Sequence, residues 1–186
     1  LVGVFELRRE GADFQSTSPC NLIASDDEWS APIMAEVGPD GQVWVLDWYN
    51  FIIQHNPTPT GFENGAGNAH VNPLRDKQHG RIYRIVSDDA VPTDHPDLGP
   101  DKMENCLAAL KNENLFWRLQ AQRLLVENKY VTAKNALVKK LEDQSLDAIG
   151  LAPGPIHAIW TLDGLGLINL DDKEVMDALY SALSHP

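Results

Sequence analysis

The sequence predicts a β plus α chain: the terminal blade of a β-propeller, followed by an all-α segment of HEAT- or armadillo-like repeats, together a fragment of a larger protein. Three observations carry this. A Pro39-Asp40-Gly41 turn lies between two apolar runs, the second of which ends on Asp47, and a further apolar run opens on Gly80-Arg81. A proline- and acid-rich stretch then interrupts regular structure. Beyond it the apolar period changes from strand-like to helical, with matching helices about 40 residues apart.

The β part spans residues 1–88. Val2–Leu7 is a short apolar-rich run with partial alternation, punctuated by Gly11 and Asp13. Leu22–Ala24 is another short strand, and Ile33–Val37 leads into the turn that Val43–Leu46 leaves. Asp-Gly between two apolar runs is a strong hairpin signal, because glycine reaches positive φ without steric cost. Ile82–Val86 is the next strand. Short strands with turns at this spacing predict a sandwich, barrel or propeller. Residues 89–100, with Pro92, Pro96 and Pro100, read as a linker.

The helical part spans 101–186. Met103, Cys106, Leu107 and Leu110 follow the i, i+3, i+4, i+7 rule of one helix face. Leu115–Asn128, Val131–Leu141, Pro155–Ile168 and Lys173–Leu183 continue the pattern. Ala121 and Leu125 recur as Ala158 and Leu162, an offset of 37, while Ala136, Leu137 and Leu141 recur as Ala178, Leu179 and Leu183, an offset of 42. Such spacing predicts stacked helical hairpins, with an ordinary helical bundle as the alternative. Two repeats alone are marginal, because each buries its apolar face on a neighbour. The chain opens on Leu1 and closes on Ser184-His185-Pro186, where another repeat would begin, so further blades and repeats of a parent protein are the expected partners. His157 and Trp160 read as packing residues of a repeat helix.

Composition excludes several classes. Net charge is −12, with 6 Lys/Arg against 13 Asp/Glu in residues 1–90 and 9 against 14 in residues 91–186. Without a basic stripe, binding to nucleic acid or anionic lipid is not expected. No apolar run of about 18 residues provides a membrane span. Cys20 and Cys106 are too far apart in sequence for a Cys-x-x-Cys-His haem attachment, and their pairing stays open.

Chemistry concentrates in the loop Phe51–Gln78 and at its two ends, and a loop this long between neighbouring strands is more often functional than accidental. In a blade with Ile33–Val37 innermost, Asp47 and this loop emerge on the face of the central channel. Candidate ligand-binding residues are Asp47, Asn50, His55, Asn56, Glu63, Asn64, Asn68, His70, Asp76, His79 and Arg81. Hard oxygen donors in this mixture suit Ca²⁺ better than a transition metal, with Asp47, Glu63 and Asn64 as candidate ligands. Glycines 61, 65 and 67 would let backbone carbonyls approach a ligand. The competing reading is a loop folded on itself through side-chain–backbone bonds. Arg81 is expected to pair with Asp47 or Asp76, and Trp48 and Tyr49 are core and rim aromatics or a sugar platform.

Four stretches carry a resemblance: Ala35–Gly41, Val45–Asn50, Gln54–Asn68 and Leu74–Arg84. Together they resemble the large membrane-bound dehydrogenase, haem-binding proteins of planctomycetes and verrucomicrobia, whose propeller is similar to glucose/sorbosone dehydrogenases. Asn114–Leu125 and His157–Gly166 resemble the HEAT-like region of the same proteins. The resemblance implies a periplasmic or secreted electron-transfer protein, its propeller related to enzymes that oxidise sugars with pyrroloquinoline quinone and Ca²⁺, and a c-type haem held in a separate cytochrome c domain. None of the quinone enzymes' catalytic residues has a match in this chain, so the resemblance implies a parent dehydrogenase and a segment that does not catalyse alone. A non-catalytic module binding protein or carbohydrate is the alternative.

Overall fold

The computed structural model of the chain describes residues 1–50, 78–91, 93 and 95–184. Strands precede helices, so the β plus α class holds. Contacts divide the chain into two units, residues 1–38 with 42–91, and residues 39–41 with 92–186.

Among its described residues the β unit contains three separate antiparallel sheets. β1 (Val2–Gly3) pairs with β4 (Asn21–Ile23), and β2 (Glu6–Glu10) forms a hairpin with β3 (Asp13–Thr17). Gly11, at φ 63°, supplies the left-handed turn of that hairpin. The expected single run Val2–Leu7 is thus split between two sheets, and the polar strand β3 carries no apolar alternation that would reveal it. The third sheet is the meander β5 (Pro32–Val37), β6 (Val43–Asp47), β7 (Arg81–Ile85). Gly38 N–H donates to Gln42 C=O at 2.8 Å across the β5–β6 turn, where Gly41 takes φ 75°. No closed barrel or propeller forms among the described residues.

The meander is apolar on both faces. On one, Val45 is fully buried between Ala35 and Tyr83. On the other, Leu46 lies between Met34 and Ile82, and Trp44 between Glu36 and Arg84. These apolar side chains are exposed, Ile82 at 65%. A sheet covered on both sides reads as continuous apolar strands.

The helical unit comprises α1 (Met103–Ala109), α2 (Leu115–Glu127), a 3₁₀ turn (Val131–Ala133) running into α3 (Lys134–Lys140), α4 (Pro153–Gly164) and α5 (Lys173–Ala182). Local chemistry fixes their starts. The Asn114 side chain caps α2 by accepting from Phe116 N–H, Pro153 opens α4 where no N–H is needed, and Asp172 caps α5 while bonding Lys134 Nζ at 2.5 Å. Their core holds Cys106, Leu107 and Leu110 around α1, Ala121 and Leu125 of α2, Leu137 and Leu141 around α3, and Ala158 and Leu162 of α4. Helix α2 packs on α1 and α4, and α3 packs on α4 and α5.

Residues 95–100, read as linker from composition, are held by this unit. Leu98 packs on the core, Asn105 Nδ2 donates to Asp97 C=O, Tyr130 Oη to Pro100 C=O, and Lys102 pairs with Asp97. His157 is buried, as expected of a packing residue, whereas Trp160 is 59% exposed beside Leu119 and Val126. Both cysteines are free thiols, Cys20 exposed and Cys106 buried, and burial pushes the Cys106 pKa up.

A polar link also crosses from α2 to α4. Arg118 Nε donates to His157 Nε2 at 3.2 Å, so the imidazole proton sits on Nδ1 and reaches Gln122 Oε1 at 2.8 Å. Burial and then the Arg118 charge hold the His157 pKa below its ordinary value of 6.5. The native state therefore binds fewer protons here than the unfolded chain just below pH 6.5. The contribution is complete above that pH and falls as pH drops toward the native pKa. His157→Gln should flatten the fall of the urea midpoint between about pH 7 and 5, relative to wild type, in matched denaturation series.

A second prediction concerns packing. A Cβ at Gly164 would stand 2.8 Å from Val126 Cγ2, and a β-branched side chain has little freedom to yield. Gly164→Ala gains helix propensity but overpacks the contact, with an expected net loss of about 1 kcal/mol in urea unfolding. Val126→Ala in the same chain should recover about 0.5 kcal/mol or more of coupling. Additive losses would show that the two positions do not touch.

Candidate functional site

The described site residues gather where β6 ends. Asp47 is the last residue of β6, and Arg81, the first of β7, is its register partner across the sheet. Asp47 is only 2% exposed and both carboxylate oxygens are occupied by the chain itself. Oδ1 accepts from Ala31 N–H at 2.7 Å and from Tyr49 N–H at 2.8 Å. Oδ2 accepts from Tyr83 Oη at 3.2 Å and from Ser30 Oγ at 3.4 Å. The reverse contact, Trp48 N–H to Ala31 C=O at 3.0 Å, ties the same two segments together. A buried carboxylate is tolerated when its lone pairs meet N–H and O–H donors, and Asp47 meets four.

Arg81 does not reach Asp47 directly. Its Nη1 donates to Tyr83 Oη at 3.3 Å, so Tyr83 relays between guanidinium and carboxylate. Nη1 also lies 3.8 Å from the Asp27 carboxylate, and the guanidinium sits 3.4 Å above the Tyr49 ring. The Tyr83 hydrogen bond is the main cause that raises the Arg81 pKa. Tyr49 takes φ 51°, a left-handed conformation costly for an aromatic residue. The Asp47 acceptor and the overlying Arg81 hold it there, and Trp29 completes the group at 6.1 Å from the Tyr49 ring. Tyr49 is thus part of a packed cluster with Arg81, nearer to the rim-aromatic reading than to an open platform.

Among the expected residues, Asp47 and Arg81 are brought into one cluster. Asn50 is buried, at 1% exposure, just after β6, and His79 is exposed two residues before β7. His55, Asn56, Glu63, Asn64, Asn68, His70 and Asp76 lie outside the described residues. The partners Ser30, Asp27 and Tyr83 were not visible from sequence. Only Tyr83 left a signal, standing two residues from Arg81 and so on the same strand face.

This geometry also bears on Ca²⁺. Of the three candidate ligands, only Asp47 is described, and it is surrounded by hydrogen-bond donors pointing at its oxygens. A cation needs those lone pairs free, so the described surroundings of Asp47 do not fit one. No group of three metal-ligating side chains gathers among the described residues. No helix among them is long and apolar enough to cross a membrane.

A family model described as a domain of unknown function (DUF7133) matches residues 1–89, the stretch that holds the seven strands found among the described residues. No curated protein and no solved structure matches the chain.

Replacing Asp47 separates acceptor from charge. Asp47→Ala leaves the Ala31 and Tyr49 N–H groups unpaired and should destabilise the β5–β6–β7 sheet by about 3 kcal/mol. That is about a hundredfold faster exchange of the Val45 amide in native-state hydrogen exchange. Asp47→Asn keeps Oδ1 as acceptor, and the hydroxyls of Ser30 and Tyr83 can turn to accept from its amide, so it should cost less than half as much. Equal losses would assign the stabilisation to the charge instead.

Proposed function

We propose that the chain is a scaffold segment of a sugar-dehydrogenase-like, haem-associated electron-transfer protein, with a propeller blade and HEAT-like repeats that hold and present other parts and perform no catalysis themselves. The observation that carries this is the state of Asp47. The one acidic candidate described at the channel end of β6 has both oxygens committed to the fold, leaving no general base there.

Two features support the architectural part. The meander β5–β6–β7 offers apolar side chains on both faces, as a blade packed between neighbours requires. In the helical unit the helices matched by sequence stack like on like, α2 on α4 and α3 on α5, with α3 also against α4. Like-on-like stacking of this kind supports the repeat reading. The redox groups would then reside elsewhere in the parent, the quinone with Ca²⁺ in the remaining blades and the haem in a cytochrome c domain. By that resemblance, such a protein would work in the periplasm or outside the cell.

Dye reduction with a panel of aldoses, pyrroloquinoline quinone and Ca²⁺ tests both parts. Residues 1–186 alone should give no turnover above the protein-free control, and the longer protein containing them should turn over. Quinone-dependent turnover by residues 1–186, lost in Asp47→Asn, would overturn the scaffold reading. No turnover by the longer protein on any aldose would remove the dehydrogenase part and leave a non-catalytic binding module.

A further inference from the structure

The helical unit holds a partly buried cation with unused hydrogen-bonding capacity. Arg118, in the second turn of α2, is fixed from one side: Nη1 donates to Asn112 C=O at 2.6 Å and Glu113 C=O at 2.9 Å, and Nε donates to His157 Nε2 at 3.2 Å. Its Nη2 has no hydrogen-bond partner and the guanidinium no ion-pair partner among the described residues. The acid nearest in electrostatic effect is Asp147, whose Oδ1 is occupied by Ile149 N–H at 3.0 Å and Leu151 N–H at 2.8 Å. Burial lowers the Arg118 pKa, as expected for a desolvated cation without a carboxylate against it. Buried charges in proteins are ordinarily paired.

Arg118 lines a cavity of about 560 Å³ walled by Lys111, Glu113, Ser145, Asp147 and the apolar Leu146 and Ile149. Lys111 is paired with Asp143 at 3.9 Å, so Arg118 is the cation left to face a ligand beside the Glu113 and Asp147 carboxylates, and the wall disfavours a dianion. One oxygen anion at Nη2 satisfies the guanidinium. Leu146 and Ile149 offer a surface for a short hydrocarbon stem. We propose that this cavity binds a monocarboxylate with an aliphatic stem, its carboxylate on Arg118 Nη2 and its stem against Leu146 and Ile149. The same chemistry belongs to a free short-chain acid and to the carboxyl end of a peptide closing on an aliphatic residue.

The test is an NMR titration of the full chain at constant ionic strength, reading the Arg118 Nε–H resonance and the Ile149 methyl groups. Sodium hexanoate should shift both saturably, with a dissociation constant on the order of 1 mM, and hexanamide should not. Phosphate should bind more weakly than hexanoate. A tetrapeptide ending in leucine, compared with its C-terminal amide, distinguishes the sources: tighter binding than hexanoate assigns a peptide end, weaker binding a free acid. Because Arg118→Gln frees two carbonyls and could unfold the α1–α2 connection, the variant of choice is Leu146→Glu on the partly exposed wall. It should weaken hexanoate about tenfold by like-charge repulsion and leave the fold intact. No saturable shift, equal response to hexanamide, tighter binding of phosphate, or unchanged affinity in a folded Leu146→Glu chain would each overturn the proposal.

Discussion

The close approach of α2 and α4 is the constraint on which the helical unit depends. Ala121 on one helix and Ala158 on the other are fully buried, and Gly164 brings the end of α4 against Val126 of α2 with no room for a Cβ. Small residues at these positions let the axes approach, and Leu125 and Leu162, one turn further on, fill the space beside them. The same closeness makes the Arg118–His157–Gln122 link possible, because its hydrogen bonds of 2.8 and 3.2 Å need the backbones near one another. Side chains of α1 and α3 then complete one continuous core, from Cys106 to Leu141. Polar and apolar terms are therefore coupled: spreading the helices would break the imidazole link and open the leucine seam together.

The β unit solves a different problem. Its sheets are small, and among its described residues only Ala31, Val45, Asp47 and Asn50 are buried. Apolar burial on that scale is a weak source of stability. What fixes the end of β6 is a buried acceptor: the Asp47 side chain takes hydrogen bonds from the Ala31 and Tyr49 backbone and from the Ser30 and Tyr83 hydroxyls. The left-handed Tyr49 follows from this, since the chain must turn sharply after Asp47 to point its own N–H back at the same oxygen. Side chains such as Met34, Leu46 and Ile82 stay exposed on the sheet.

The helices were legible in sequence because each writes its buried face at a 3.6-residue period, and the recurrence of Ala and Leu at 37 and 42 residues marked which helices would stack. The central hairpin was legible from Asp40-Gly41 and its flanking valines. Strand β3 was not, because Asp13–Thr17 is held by pairing with β2 and not by an apolar face. Nor was the docking of residues 95–100, whose backbone carbonyls are bonded by Asn105 and Tyr130, contacts that composition cannot encode. Asp47 was singled out as a candidate ligand residue, and its described contacts depend on Ala31 and Tyr83, 16 and 36 residues away. A strand-ending Asp looks the same whether its donors come from a ligand or from the fold. Trp160 shows the converse: helical spacing placed it in a packed repeat, and its position on the outer side of α4 leaves it exposed.

The two units contain opposite charges with unequal outcomes, Asp47 buried and Arg118 partly buried. The Asp47 carboxylate has two oxygens and receives four donors, so its capacity is spent and its service is to the fold. The Arg118 guanidinium has five N–H groups, and three hydrogen bonds use those of Nε and Nη1. Its two Nη2 hydrogens are committed to no described residue. Burial without pairing is expensive, and a fold that needed Arg118 only as a brace for the Asn112 and Glu113 carbonyls would gain from a carboxylate beside it. Asp147 acts on Arg118 electrostatically, and its Oδ1 closes the turn from Asp147 to Leu151 that forms part of the cavity wall. The chain thus uses Asp147 to build the wall and leaves the guanidinium with hydrogens to spare, which is the difference between an acceptor that holds a structure and a charge that can receive a ligand.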